Sequence, residues 1–183
     1  LTGRPILVRE EHLYSRYFLA VTNVAIDFLA TEREYREVAS RSNSLSQIDR
    51  ERLERILEYI EDEMTDRPKF DDVGLGRYRS DRDLRRNLDR WVEMLINAAI
   101  DIAKIVLSSE HRPVPRTYGQ ILEDLEATEP FDELKGRLKP LAPLRNMMAH
   151  EYLDLRFGRV QKFVDEGAGS VEELAKLTRV WMG

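Results

Sequence analysis

Leu144-Arg145-Asn146-Met147-Met148-Ala149-His150-Glu151-Tyr152 sets an arginine, an asparagine, a histidine and a tyrosine on a segment that otherwise has the pattern of a core helix. Leu141, Leu144, Met148, Tyr152 and Leu155 recur at three or four residues, the spacing that gathers side chains on one face of a helix. A helix with one buried face explains the apolar residues. It does not explain the polar ones, and these mark where chemistry is to be sought.

Working outward, Pro140 and Pro143 each lack an amide donor and crowd the preceding turn, so the helix starts near Pro140 and runs to about Phe157. A short helix from Pro130 to Leu138 precedes it, and before that Thr117 can cap a helix over 118–125 with an acidic surface. The longest helix starts at Ser80 and runs through 84–107, with Leu84, Leu88, Trp91, Leu95, Ala99, Ile102 and Val106 on its apolar face. Arg79, Arg82, Arg86 and Arg90 recur on another face, with Arg85 alongside. Such a stripe is either a solvated face paired with Asp81, Asp83 and Asp89 or a patch that contacts phosphates.

Ser46 with Asp49 resembles an N-cap followed by an acid in the first turn, and Leu53, Ile56, Leu57, Ile60 and Met64 continue a stripe that ends before Asp66-Arg67-Pro68. The stretch 65–79, with Pro68, Gly74 and Gly76, reads as a loop, and its G-x-G has no strand before it to make a phosphate loop. Past the central segment, Gly158, Gly167 and Gly169 punctuate the tail, and a last helix covers about 171–181. No strand signal stands out. The fold expected is an all-α, mainly up-and-down bundle of about five to six helices.

Residues 1–43 form a separate N-terminal extension, helical over about 10–38 and joined by the polar linker 40–46 to a bundle domain over 44–183. The chain opens on Leu1 rather than Met, as a piece of a longer protein would.

With 42% hydrophobic and 34% charged residues in 183, the composition is that of a charged, helical, globular protein. No apolar run approaches the roughly 20 residues of a membrane span, and no signal-peptide pattern begins the chain, so a cytoplasmic protein is expected. The absence of cysteine excludes disulfides, thiolate zinc sites and a cysteine nucleophile. No H-x-x-E-H, H-E-x-x-H or aspartate cluster suggests a metal, so neither metal nor cofactor is expected. His12 and His111 have no obvious partner and read as surface or loop residues. A net charge of -5 argues against a nucleic-acid substrate unless the arginines form a local patch.

The pattern R-x4-H-x-Y, with Asn directly after the Arg, resembles the signature of HEPN domains, in particular the HepT-like toxins of HEPN/nucleotidyltransferase toxin–antitoxin pairs. Arg145, Asn146, His150 and Tyr152 carry it here. The preceding long helix with Asn97-Ala98-Ala99-Ile100-Asp101-Ile102-Ala103, and Pro115-Arg116-Thr117-Tyr118 opening the next, resemble the same pattern in the same order over about residues 47–183. The resemblance implies a HEPN-like bundle, a homodimer, an RNA substrate and a partner nucleotidyltransferase antitoxin that transfers AMP onto the tyrosine of the signature, here Tyr152. The extension 1–43 is faintly similar to the closing helix of those nucleotidyltransferases, which would make it the tail of a fused or partner enzyme; an extra bundle helix is the other reading.

On an ideal helix Arg145 and His150 stand about 140° apart, so one chain alone makes an awkward site. A composite site, with two copies of the helix meeting across a two-fold axis, suits the spacing better. RNA can be cut without metal when the 2′-hydroxyl attacks the adjacent phosphorus. His150 titrates near neutrality and can act as base or acid. Arg145 can hold the phosphate, a contribution of about 3 kcal/mol if it strengthens in the transition state. Asn146 could position the phosphate, and Arg79, Arg82, Arg86 and Arg90 could bind the RNA. The structural alternative makes His150 a satisfied helix residue and pairs Arg145 with Glu151 or Asp154. The corresponding second function is a non-catalytic HEPN module that binds a nucleotide or docks a nucleotidyltransferase, favoured by the net negative charge.

Overall fold

A computed structural model of the chain describes residues 45–110, 112, 115, 117–147 and 153–183. The described residues form helices and turns, with no strand among them. The extension 1–43 lies outside them.

Helix α1 is Gln47–Met64. The Ser46 hydroxyl accepts from the Asp49 amide at 3.1 Å and donates to the Asp49 carboxylate at 2.6 Å, a relative of the capping box in which the acid three residues on closes the first turn. Leu53, Leu57 and Ile60 are buried, as the stripe predicts, and Ile56 and Met64 pack at its margin.

The stretch expected to be a loop over 65–79 keeps turns at its start and middle but holds two short helical pieces. A 3-10 turn, Arg67–Lys69, carries Pro68 at its start, where a missing amide loses no hydrogen bond, and helix α2, Leu75–Ser80, follows Gly74. Tyr78 supplies what the glycines conceal in the sequence: with 0% of its surface exposed, it anchors the short helix in the core.

Helix α3, Arg82–Ser109, is capped by Asp81, whose carboxylate accepts from the Leu84 amide at 2.9 Å, rather than by Ser80 one residue before. Leu88, Trp91, Leu95, Ala99, Ile102 and Val106 are buried as expected, whereas Leu84 is only partly so. Val92, Ile96, Ile100, Ala103 and Leu107 are buried as well. A helix apolar this far around its circumference must be enclosed. Helix α4, Tyr118–Leu125, opens at Thr117, whose hydroxyl accepts from the Gln120 amide at 3.3 Å.

Where a short helix to Leu138 is expected, only a 3-10 turn, Phe131–Leu134, forms, because Phe131 and Leu134 are buried while Gly136 takes a φ of +78°, a left-handed conformation that breaks the helix. Helix α5, Leu141–Met147, begins just past Pro140. Residues 148–152 lie outside the described ones.

Helix α6, Leu153–Lys162, passes Gly158 and enters a π-helical turn, Phe163–Gly167, which leads directly into helix α7, Ala168–Met182. The glycines expected to punctuate this tail therefore sit inside helical structure. A glycine costs a helix about 1 kcal/mol. Burial of Phe157, Val160, Phe163, Val164, Val171 and Leu174, at about 1.5–3 kcal/mol for a large apolar side chain, outweighs that cost.

Helix α3 is the axis of the bundle, with α1, α4, α5 and α7 packed on it and α2 covering its N-terminal end. The Trp91 indole N–H donates to the Glu63 carbonyl at 2.8 Å, tying α3 to α1. At the closing end of the chain, Arg50 donates to the Met182 carbonyl at 2.8 Å and Arg179 pairs with Glu61 at 2.6 Å.

Candidate functional site

Leu141, Ala142, Leu144 and Met147 are buried and fix the roll of α5 about its axis. That roll leaves Arg145 on the flank facing α4, half-buried, with its guanidinium carbon 5.0 Å from the centre of the Tyr118 ring. This lies within the ~6 Å over which a ring face attracts a cation. Tyr118 is the first residue of α4, so the Thr117 cap indirectly places the ring that receives Arg145.

Glu126 sets the position of α5 along the fold. It is 6% exposed, yet one of its carboxylate oxygens accepts from the backbone amide of Leu138 and, at 3.1 Å, from that of Lys139. A buried carboxylate is costly unless such donors surround it. The Lys139 ammonium also pairs with Glu123 at 2.8 Å, at the surface. The turn that delivers α5 is thus clamped to the end of α4.

A second clamp holds α6. The Tyr78 hydroxyl donates to Asp89 at 2.6 Å, and Arg156 on α6 pairs with the other Asp89 oxygen at 3.2 Å. Burial, and then the hydrogen bond to Asp89, push the Tyr78 phenol above the usual tyrosine range. Three helices, α2, α3 and α6, are joined by this one carboxylate.

The arginine row is exposed at Arg79, Arg82, Arg86 and Arg90. Arg90 pairs with Glu93 at 3.2 Å, while Arg82 and Arg86 make no ion pair among the described residues. Two of the three acids that the sequence offers as partners are employed elsewhere: Asp81 caps α3 and Asp89 holds Tyr78 and Arg156. Arg85 donates to the carbonyls of Tyr78 and Arg79 at 3.1 Å each, and so secures the junction of α2 and α3. Beside Arg90 is a cleft of mixed lining with Tyr59, whose phenol is pushed up to about 12 by burial and by its hydrogen bond to Glu63, against the pull of Arg90.

Of the signature residues, Arg145 is placed in full and Asn146 follows it on α5. The Asn146 side chain, His150 and Tyr152 lie outside the described residues. Spacing and periodicity do not single out Tyr118 as the seat of Arg145, nor Glu126 or the Asp89–Arg156 pair as supports, because each contact joins residues far apart in sequence. Among the described residues no group of His, Asp and Glu could hold a metal ion, and no helix is long and apolar enough to cross a membrane.

A family profile described as ribonuclease HepT-like matches residues 48–177. No curated protein matches the chain, and no solved structure does.

Proposed function

Because this chain belongs to the HepT-like ribonuclease family, we propose that it is a metal-independent endoribonuclease and the toxin of a toxin–antitoxin pair, acting as a homodimer with Arg145, His150 and Asn146 in a composite site. The match over residues 48–177, which contains the whole R-x4-H-x-Y signature, carries the proposal. In the proposed reaction the 2′-hydroxyl attacks the adjacent phosphorus and the bond to the 5′-oxygen breaks, leaving a 2′,3′-cyclic phosphate. One proton leaves the 2′-hydroxyl and one goes to the departing 5′-oxygen, which becomes a hydroxyl; His150 serves as the base for the first or the acid for the second, with water making the other exchange, and Arg145 offsets the charge that gathers on the phosphate oxygens. Asn146 orients the phosphate.

The arginine-bearing end of α3 supplies a path for the RNA. Asp89, within a turn of Arg86 and Arg90, reaches Arg156 on α6, which supports a role for this end of α3 near the signature. Arg79, Arg82, Arg86 and Arg90 then track the phosphates, a local exception to the net charge of -5. Residues 44–183 form the HEPN-like domain and residues 1–43 an extension to it, acting in the cytoplasm. A nucleotidyltransferase antitoxin transfers AMP to Tyr152, placing bulk and negative charge beside the phosphate site.

Labelled tRNA and messenger RNA incubated with the protein in EDTA test the reading. Wild type is expected to cut, and His150→Ala, confirmed as folded and dimeric, to cut at least about 100-fold more slowly. Equal cleavage by that variant would remove His150 from the mechanism. Tyr152→Phe is expected to stay active and to escape silencing by the partner. The net negative charge favours one other reading, a non-catalytic module that binds a nucleotide or docks the nucleotidyltransferase. No cleavage by unmodified wild type would select it.

A further inference from the structure

Between α5, the turn at Gly136 and the π-helical turn lies a cleft of about 750 Å³. Its floor is apolar, made by Leu141, Leu144 and Phe163, and its rim carries Arg137 and Lys162 with Glu166 beside them, while Arg159, also in the lining, is engaged in an interaction of its own. Lys162 and Glu166 are separated by 3.9 Å and both stand largely in solvent, a pairing too weak to neutralise the rim.

The floor depends on a specific backbone device. A Cβ on Gly167 would stand 2.6 Å from the Phe163 ring and 3.2 Å from a Leu141 methyl, so only glycine lets both side chains lie against the helix there. The π-helical turn carries Phe163 and Gly167 at its two ends. Such turns are rare and concentrate at functional sites. Helix α5 forms one wall of the cleft, with Leu144 in the wall and Arg145 next along the chain.

We propose that this cleft is a nucleobase subsite: it takes one base of the single-stranded RNA, wedged against the apolar floor, while the flanking phosphates meet Arg137 and Lys162. The inference rests on the ribonuclease reading above and assigns part of its substrate contact. The volume falls in the ~300–1,000 Å³ range of small-molecule sites and suits a base with its sugar. Single-stranded nucleic acids are held without base pairing by a surface that takes the base and cations that take the backbone; here, with Phe163 only 2% exposed, the contact to the base is mainly aliphatic. An uncharged apolar occupant would have no use for the rim, and a purely anionic one no use for the floor.

The test uses the full chain and a fluorescein-labelled, fully 2′-O-methylated single-stranded RNA of about twelve nucleotides, which cannot be cut. Binding is followed by anisotropy over a range of salt. Arg137→Glu/Lys162→Glu, both exposed positions, is expected to weaken binding at least about tenfold and to lower the slope of log affinity against log salt by about 1.4, the loss of two phosphate contacts. A 4-thiouridine version of the probe, irradiated on wild type, is expected to crosslink within residues 136–144 or 159–170. This second readout does not depend on the variant folding. If wild type binds the probe and cuts unmodified RNA, yet the double variant binds equally well and the crosslinks map elsewhere, the subsite is wrong and the ribonuclease reading stands. If wild type neither binds nor cuts RNA, both fall. If light scattering shows that the double variant loses dimerisation and that RNA affinity falls only with it, the cleft is a seam between copies, which also overturns the subsite.

Discussion

Glu126 shows how much of the site hangs on one side chain. It satisfies two backbone amides in the turn before α5 from a buried position. Removing the acceptor leaves buried donors unpaired, at about 1–3 kcal/mol for each. Glu126→Ala is therefore expected to lower the free energy of unfolding in urea by about 2–4 kcal/mol, and Glu126→Gln, which keeps a carbonyl oxygen there, by clearly less. A loss under about 0.5 kcal/mol for the alanine variant, the size of an ordinary surface change, would contradict the clamp. Tyr118 acts more gently. Tyr118→Phe keeps a ring beneath Arg145, whereas Tyr118→Leu removes the cation–π attraction, worth about 0.5–2 kcal/mol. The leucine variant should melt lower and cut RNA more slowly than the phenylalanine variant. Equal behaviour of the two variants would mean that the ring does not hold Arg145.

At the scale of elements, the glycines distinguish what a local pattern can and cannot say. Gly158 lies exposed on α6 with nothing within 4 Å of where a Cβ would stand. Gly158→Ala should therefore stabilise the protein by about 0.5–1 kcal/mol through helix propensity. Gly167 is the opposite case: its Cβ would collide with Phe163, and Gly167→Ala should cost about 1–3 kcal/mol, the usual range for forcing an added methyl group into a packed core. Thermal melts of the two single variants compare the positions directly, and shifts in the same direction would refute the distinction. In the sequence both glycines look like helix stops. The same ambiguity hides α2, where Gly74 and Gly76 suggest a loop while the buried Tyr78 holds a helix.

For the whole molecule, the tyrosines set an alkaline limit. Tyr59 is raised to about 12 and Tyr78 is raised as well, against an ordinary value of about 10 that each regains on unfolding. A raised folded-state value means that their contribution to stability is fully present below about pH 10 and is lost as pH climbs through the folded values. Unfolding free energy should hold steady toward pH 10 and fall between about pH 10 and 12, with Tyr59→Phe reducing the fall. A pH-independent free energy across that window would show that neither phenol is held protonated by the fold. Local pattern is enough for the all-α class, the caps at Ser46 and Thr117, the buried faces of α1 and α3, and the start of α5 just past Pro140, because caps, prolines and apolar spacing act within a turn or two of the chain. It also displays the R-x4-H-x-Y residues, since a signature is local by construction. Packing, in contrast, sets Arg145 on Tyr118, gives Glu126 the turn into α5, assigns Asp89 to Tyr78 and Arg156 rather than to the arginine row, and carries α6 through its glycines into α7. Each of these joins residues brought together by packing, or turns on burial that outweighs a local preference, and spacing along the chain encodes neither.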